Sequence, residues 1–286
     1  MQTRQARAGD LRAMAELAGR LQADPTSAIP YLGDAADGIE RELVEIDWRS
    51  VSALAFDHGR LTGWLVGDTD DELGRVFWLG PFVSEGDWDD VASRLYAGCS
   101  KLLRPEITEE EIAIDSRFAR CQTWAAGHGF AAETGSLALV LDSDPWEHAP
   151  EMRAVGDDDL AALGPLHEEL FPGTHTTGRR LVEDRDEDHV RLVAEVDGVL
   201  AGYVAFEVQP DGAGYLDFLG VSPDFRRNGL GTRLVRAAVA SLGRRGATPI
   251  HLTVREDNVG ARRLYGSLGF TEERVIRPLR KGFSIA

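Results

Sequence analysis

The sequence predicts an α/β protein of two tandem domains, each a mixed, mostly antiparallel sheet flanked by helices. Three observations point there. A chain of 286 residues exceeds one ordinary domain of about 100–200 residues and suits two. The two halves share residue patterns in the same order. Each half also contains a hairpin, and in the second it precedes a strand–helix–strand crossover, which argues against a uniformly parallel sheet.

The repeat is read first at the start of each half. Arg4, Ala6, Asp10 and Leu11 follow a short strand-like stretch and open a helical pattern, as do Arg153, Val155, Asp159 and Leu160. Next, ALAFDHGRLTGWLV (53–66) mirrors LVAEVDGVLAGYVAF (192–206), two alternating strands around a glycine turn. FWLG (77–80) then corresponds to DFLG (217–220), and GHGF (127–130) to SLGF (267–270), both 140 residues apart. Between the halves, DSDPWEHAPE (142–151) is polar with two prolines and reads as a linker. The expected domains are therefore 1–144 and 151–286. In the second, the patterns predict helices over about 157–184 and a hairpin over 190–208. A strand at 215–221, a glycine-rich turn, a helix at about 229–245, a strand at 249–254, a helix at 258–268 and a closing strand follow.

Composition narrows the function. Hydrophobic residues at 43%, with six Trp and eleven Phe, supply enough apolar surface for packed cores. No apolar run reaches the roughly 20 residues of a membrane span, and MQTRQARAGDLRAM lacks a signal peptide's apolar stretch, so a cytoplasmic protein without a membrane partner is expected. Cys99 and Cys121 lack the spacing of a zinc site and read as small buried residues, and no metal is expected. Forty-eight acidic against thirty-one basic residues give a charge of −17. That charge repels a phosphate backbone, argues against nucleic acid and suits a cationic partner, although acidity also simply keeps a protein soluble.

The segment with most chemistry is YLDFLGVSPDFRRNGLGTRLVRAAVASLG (215–243). An apolar strand enters a turn containing Arg226, Arg227, Asn228, Gly229, Leu230 and Gly231, then a helix with apolar positions at 230, 234, 235, 238 and 242. A phosphate fits such a junction: glycine lets the backbone approach closely, the first helical amides are unpaired, and arginines add full charges. The bland alternative is a tight turn with a solvated edge. A second segment, HLTVREDNVGARRLYGSLGF (251–270), follows one crossover helix later. It carries Asn258, Ala261, Leu264, Tyr265, Leu268, Gly269 and Phe270 at helical spacing, with Gly269 as a helix stop.

Together these two segments resemble the GCN5-related N-acetyltransferase (GNAT) superfamily, specifically over about 150–280 and in outline over 1–141. The resemblance implies tandem GNAT-like domains in which the strand before the glycine turn splays from its parallel neighbour. It also implies acetyl-coenzyme A as cofactor, its pantetheine arm pairing in the gap with the backbone of Leu219 and Val221. It assigns the pyrophosphate to Arg226, Arg227, Asn228, Gly229, Leu230, Gly231 and Thr232, a pantetheine contact to Asn258, and protonation of the departing thiolate to Tyr265. A phenol of pKa about 10 stays protonated at neutral pH and can donate to a thiolate whose thiol titrates near ~8.5. Tyr265 also reads as a core aromatic, and Asn258 as a helix N-cap.

The same resemblance makes the first half a degenerate copy. At the 140-residue offset Tyr265 falls on Ala125, Asn258 on Phe118, and glycines 229 and 231 on Asp89 and Val91. The turn reads VSEGDWDD, whose acids oppose a diphosphate. The glutamate that this superfamily often places before the glycine turn is replaced here by Tyr215. Asp217, two residues on and on the same face, is the expected base or amine anchor, with Glu207 as the alternative. His175, in FPGTHTTGRR (171–180), lies where the superfamily meets its acceptor. Glu168, Glu169 and Phe171 before it, and Glu183, Asp184, Asp186, Glu187 and Asp188 after it, read as an acceptor cleft or as a solvated charged face. The expected acceptor is a small cationic amine such as an aminoglycoside or basic peptide antibiotic, acetylated for resistance. The tandem arrangement also resembles mycothiol synthases, which acetylate a cysteinyl amine, and a non-catalytic acyl-CoA-binding module is the third reading.

Overall fold

A computed structural model describes residues 1–142, 152–183, 189–209 and 211–282. In chain order it forms β1 (Gln2–Arg4), α1 (Leu11–Gln22), α2 (Ala36–Glu45), β2 (Ser52–Asp57), β3 (Arg60–Asp70), β4 (Arg75–Val83), α3 (Trp88–Ser100), β5 (Glu109–Asp115), α4 (Ala119–Gly127) and β6 (Ala131–Ala132). It continues with β7 (Ser136–Leu141), β8 (Arg153–Ala154), α5 (Leu160–Leu170), α6 (Gly178–Glu183), β9 (Val190–Val196), β10 (Val199–Val208) and β11 (Gly214–Val221). The last elements are α7 (Leu230–Arg244), β12 (Ile250–Arg255), α8 (Val259–Ser267) and β13 (Thr271–Lys281).

The expected limits, 1–144 and 151–286, are not those of the compact units. One unit joins Met1–Gly135 to the residues from Arg274 onward, and the other is Ser136–Glu273. Each half has given its closing strand to the unit built mainly from the other half. β7 pairs antiparallel with β12 from Leu141↔Ile250 to Ser136↔Arg255, while β13 pairs antiparallel with β5 from Ile276↔Asp115 to Lys281↔Glu110. Either strand would satisfy an open edge with the same ladder, so local pattern cannot say which edge it takes. Most of the expected linker, 143–151, lies outside the described residues.

Strand order in the first unit is β1-β2-β3-β4-β5-β13, with β6 beside β13. In the second unit it is β7-β12-β11-β10-β9-β8. Both sheets are antiparallel except for one parallel pair, β4 with β5 and β11 with β12. Both hairpins turn on two left-handed residues ending in glycine, His58-Gly59 and Asp197-Gly198, the backbone that the twist of a two-residue hairpin demands. The repeat also appears as matching ion pairs. Arg4 grips Asp10 at 2.6 and 2.7 Å, and Arg153 grips Asp159 at 2.6 and 2.8 Å. Each aspartate also accepts an amide three residues back, from Arg7 or Gly156, at 2.7 Å.

In the second unit, α7 packs on one face of β9, β10 and β11 through Leu234, Val235, Ala238, Val239 and Leu242. Across the sheet, Leu163 and Leu166 of α5 and Leu181 of α6 form a core with Val193, Tyr203, Ala205 and Phe218. A rigid strand, β11, is thereby held between a helix whose N-terminus meets its C-terminal end and a loop, 171–177, that follows α5. Both cysteines are buried and unpaired. No helix among the described residues is long and apolar enough to cross a membrane.

Candidate functional site

β11 and β12 pair only at Gly214↔Ile250, Tyr215↔His251 and Leu216↔Leu252. Past that point β11 runs on to Val221 and β12 to Arg255 without pairing to one another. Tyr215, which stands where the GNAT superfamily often carries a glutamate, braces the paired end, its hydroxyl 3.2 Å from Thr253 Oγ1. The amide of Ser222 donates to Ala201 of β10 at 3.0 Å. Alternation along the strand therefore turns the backbone groups of Leu219 and Val221 the other way, into the side β12 has left. One of these, the Val221 carbonyl, accepts Arg226 Nε at 3.0 Å.

Arg227 (φ 66°) and Gly229 (φ 74°) both take the left-handed conformation in the following turn. Gly229 is the N-cap of α7, and no side chain caps this end. Its helical ladder starts with Arg233 N–H on the Gly229 carbonyl at 3.1 Å, so the amides of Leu230, Gly231 and Thr232 precede it. These amides carry the positive end of the helix dipole, and Arg226, Arg227 and Asn228 are exposed around them. A Cβ on Gly231 would stand 3.1 Å from Leu264 of α8, so this glycine permits the close approach of the two helices. Asn258 is the N-cap of α8, its Oδ1 accepting Ala261 N–H at 3.1 Å. Tyr265, one helical stretch further on, is 6% exposed and stands edge-on to Phe270. Among the described residues its hydroxyl has no hydrogen-bond partner, and burial raises its pKa above the ordinary phenol value.

On the other side of β11 a bulge decides the geometry. Ala205 faces Phe218 and Phe206 faces Leu216, leaving Asp217 without a partner across the ladder. A bulge puts neighbouring side chains on one side and re-aims them. The simple alternation that sets Asp217 with Tyr215 is broken here, and one imidazole meets two consecutive residues: His175 Nε2 lies 3.2 Å from Asp217 Oδ1, and its ring stacks on Phe218. Phe171 packs edge-on against Phe218 at 5.1 Å. Glu207, on β10, is 2.9 Å from His189 Nε2 and accepts Gln209 Nε2 at 2.7 Å. Burial is the main cause raising its pKa, and the nearby Asp217 adds to it while His189 opposes.

The expected acceptor acids divide. Glu169 is exposed on α5, and Glu168 Oε1 accepts the Gly178 amide at 2.5 Å, so that carboxylate is engaged within the fold. Glu183 pairs with Arg179. Asp184, Asp186, Glu187 and Asp188 lie outside the described residues. Two polar residues here escape sequence reasoning. His167 is fully buried between Tyr203 and Phe218, with Nδ1 2.6 Å from the Tyr203 hydroxyl and Nε2 3.0 Å from the Thr176 carbonyl. Among the described residues no group of three His, Cys, Asp or Glu is arranged to hold a metal.

Residues 160–270 match the acetyltransferase (GNAT) family. The chain is 34% identical over 121 residues to the ribosomal protein bS18 alanine N-acetyltransferase of Salmonella typhimurium, a stretch covering 42% of this chain and 79% of that enzyme. The chain belongs to the GNAT family of acetyl-CoA-dependent N-acetyltransferases. A mycothiol acetyltransferase of Salinispora arenicola is 33% identical over 132 residues, 46% of this chain and 39% of that one. In fold, a GCN5-related N-acetyltransferase from Sphaerobacter thermophilus superposes with a TM-score of 0.79 at 18% identity, covering 98% of this chain and 95% of its own.

The second unit's residues fit the GNAT cofactor. An unpaired strand edge at Leu219 and Val221 suits the amide-bearing pantetheine, and the uncapped α7 terminus suits a diphosphate. The first unit of this GNAT protein is closed at the corresponding places. The N-cap of α3 is Asp87, whose Oδ1 accepts the amides of Asp89 and Asp90 at 3.1 and 3.4 Å. β4 and β5 also part, after Trp78↔Ile112. There the Asp115 amide of β5 donates to the Ala28 carbonyl at 3.1 Å, while the next amide, Ser116, faces β13. The loop after α1 thus occupies the β5 edge that faces β4. Trp88, Phe118 and Trp124 pack together between the ends of α3 and α4.

Proposed function

We propose that the second unit acetylates a primary amine of a small cationic acceptor in the cytoplasm, of the aminoglycoside or basic peptide antibiotic type, and so confers resistance. One observation carries the reading. Two carboxylates, Asp217 on β11 and Glu207 on the adjacent β10, each lie beside a histidine, with Phe171 and Phe218 as apolar neighbours of Asp217. Carboxylates there attract and orient an alkylammonium, whose pKa near ~10 requires loss of a proton before attack. Asp217 anchors the ammonium and takes its proton, with His175 beside it as the relay to solvent. The neutral amine nitrogen then forms its bond to the thioester carbonyl as the bond to sulfur breaks, and Tyr265 gives its hydroxyl proton to the departing thiolate. The second proton that the nitrogen sheds on becoming an amide restores the Tyr265 phenol through solvent. Asn258 serves both as N-cap and, through its amide nitrogen, as a pantetheine contact. Arg226, Arg227, Asn228 and the amides from Gly229 to Thr232 hold the pyrophosphate.

The closed edge and self-capped helix of the first unit support a degenerate copy that binds no cofactor. A second reading, acetylation of a cysteinyl amine, is favoured by the likeness to mycothiol acetyltransferases. An alanine of ribosomal protein bS18 is the acceptor that the Salmonella enzyme's name supplies.

The test measures thiol release from acetyl-CoA with tobramycin, spermidine, cysteinyl-glucosamine and peptides starting with alanine or carrying lysine. The expected result is highest kcat/KM with tobramycin or spermidine. A higher value with cysteinyl-glucosamine or a peptide overturns the acceptor class. Tight coenzyme A binding without turnover of any amine leaves the binding-module reading standing. Calorimetry is expected to count one coenzyme A per chain, and a count of two would restore the first unit as a cofactor site.

A further inference from the structure

His175 can meet Asp217 only if the loop between α5 and α6 is held in place, and two consecutive side chains in the last turn of α5 hold it. A carbonyl only accepts, so the contact with Thr176 requires that His167 Nε2 carry the proton. Burial lowers the pKa of His167, which keeps the ring neutral, and Nδ1 is then the acceptor for the Tyr203 hydroxyl. The adjacent Glu168 takes the Gly178 amide. One side chain thus grips a carbonyl, and its neighbour an amide, on either side of Thr177. The far end of the loop is fixed as well, because a Cβ on Gly178 would stand 2.4 Å from the Gly164 carbonyl, so α6 lies against α5 at backbone distance.

The other end of this chain of contacts is the strand that carries the site. The Tyr203 ring lies over Gly220 of β11, where a Cβ would approach to 2.6 Å. His167 itself stands edge-on to Phe218, 4.7 Å between centroids. We propose that His167 is a positioning residue: it ties the Thr176 carbonyl to Tyr203 and β11, and through that tie it sets His175 over Asp217 for the acceptor amine. The role acts on the acceptor and not on the cofactor, because every contact of His167 lies on the α5 side of the sheet. It rests on the functional reading above in that His175 and Asp217 serve the acceptor.

His167→Phe keeps an aromatic ring and removes both polar contacts, whereas His167→Gln keeps a donor and an acceptor. For His167→Phe we expect KM for tobramycin or spermidine to rise about tenfold while KM for acetyl-CoA stays within about twofold. The amides of residues 174–178 should exchange hydrogen about tenfold faster, with β10, β11 and α7 unchanged. His167→Gln should restore most of both. If His167→Phe does not fold, Tyr203→Phe removes the hydroxyl alone and should shift both measurements in the same direction by a smaller factor. Equal rises in both KM values, or no rescue by glutamine, would make His167 a packing residue and overturn the proposal. If the wild-type protein acetylates neither amine, the acceptor reading fails separately, and the exchange measurement still decides: unchanged exchange at 174–178 sinks the tie.

Discussion

Tyr265 is two things at once, a core aromatic and the only phenol on α8. Its ring is buried against Phe270, yet its hydroxyl has no partner among the described residues. Burial without a partner disfavours the phenolate, which raises the pKa above 10. The group therefore stays a proton donor through neutral and moderately alkaline pH, as an acid toward a leaving thiolate must. Tyr265→Phe keeps the packing and deletes the proton. We expect kcat to fall about 10²-fold, the lower end of general acid catalysis, with KM for acetyl-CoA within about threefold. Steady-state kinetics with saturating amine checks this, and an unaltered kcat would remove Tyr265 from the acid role. Residue types at this scale were legible where a motif spaced them. Gly229, Asn258 and Tyr265 are singled out because two segments together resemble one family's motifs, since a glycine turn or a helical phenol alone also reads as a tight turn or a core aromatic. The structure places the first two at the N-caps of α7 and α8. His167 is not singled out. In LGPLHEEL it falls four residues after Leu163 and reads as one more buried position, and its two hydrogen bonds run to partners distant in sequence. Asp217 is singled out in the sequence by simple alternation, whereas it is the bulge, invisible in the sequence, that brings it beside His175.

Elements were legible wherever periodicity and turn chemistry agree. The hairpins, the crossover helix α7 and the α8 stop at Gly269 all fall within a few residues of where the pattern puts them. The matched starts of the two halves have a physical counterpart in the twin Arg–Asp clamps, and these make a pH prediction. The Asp159 pKa is lowered chiefly by hydrogen bonds from Arg153. A carboxylate whose folded pKa lies below its unfolded value contributes stability above about pH 4, and that contribution is lost as pH falls through the folded pKa. Asp159→Asn keeps an acceptor for Gly156 and loses the charge. The variant should therefore be less stable by about 1 kcal/mol at pH 7. The gap should close progressively below about pH 4, where the wild-type carboxylate also becomes neutral. Denaturant titrations of both proteins at pH 7, 5 and 3 measure it. A gap that persists undiminished at pH 3 would mean that the clamp acts through shape and not charge.

At the scale of the whole molecule, the exchange of closing strands is what the sequence hid. The limits 1–144 and 151–286 keep SLALVL (136–141) and TEERVIRPLRK (271–281) each with its own half, and nothing local distinguishes the edges they take. The exchange has an energetic consequence at the extreme C-terminus of the chain. Leu279 is 1% exposed and belongs to the core of the first unit. Its neighbours on β13 anchor the same unit: Arg280 binds Glu111 and Glu133, and Lys281 binds Glu110 and donates to the Tyr96 hydroxyl. The end of a chain is ordinarily tolerant of change, but burial and backbone pairing override sequence position. Leu279→Ala should therefore destabilise the first unit by about 2–5 kcal/mol, the range for truncating a fully buried leucine. Removal of the residues after Glu273 should go further, opening the β5 edge to aggregation. Five of the six tryptophans, Trp48, Trp64, Trp78, Trp88 and Trp124, lie in that unit, so fluorescence during urea unfolding follows it chiefly. Coenzyme A affinity, which the proposed site assigns to α7 and β11, should stay within about threefold for Leu279→Ala under native conditions. If fluorescence unfolding is unaffected while the cofactor is lost, the last strand serves the second unit, and the exchange of strands is wrong.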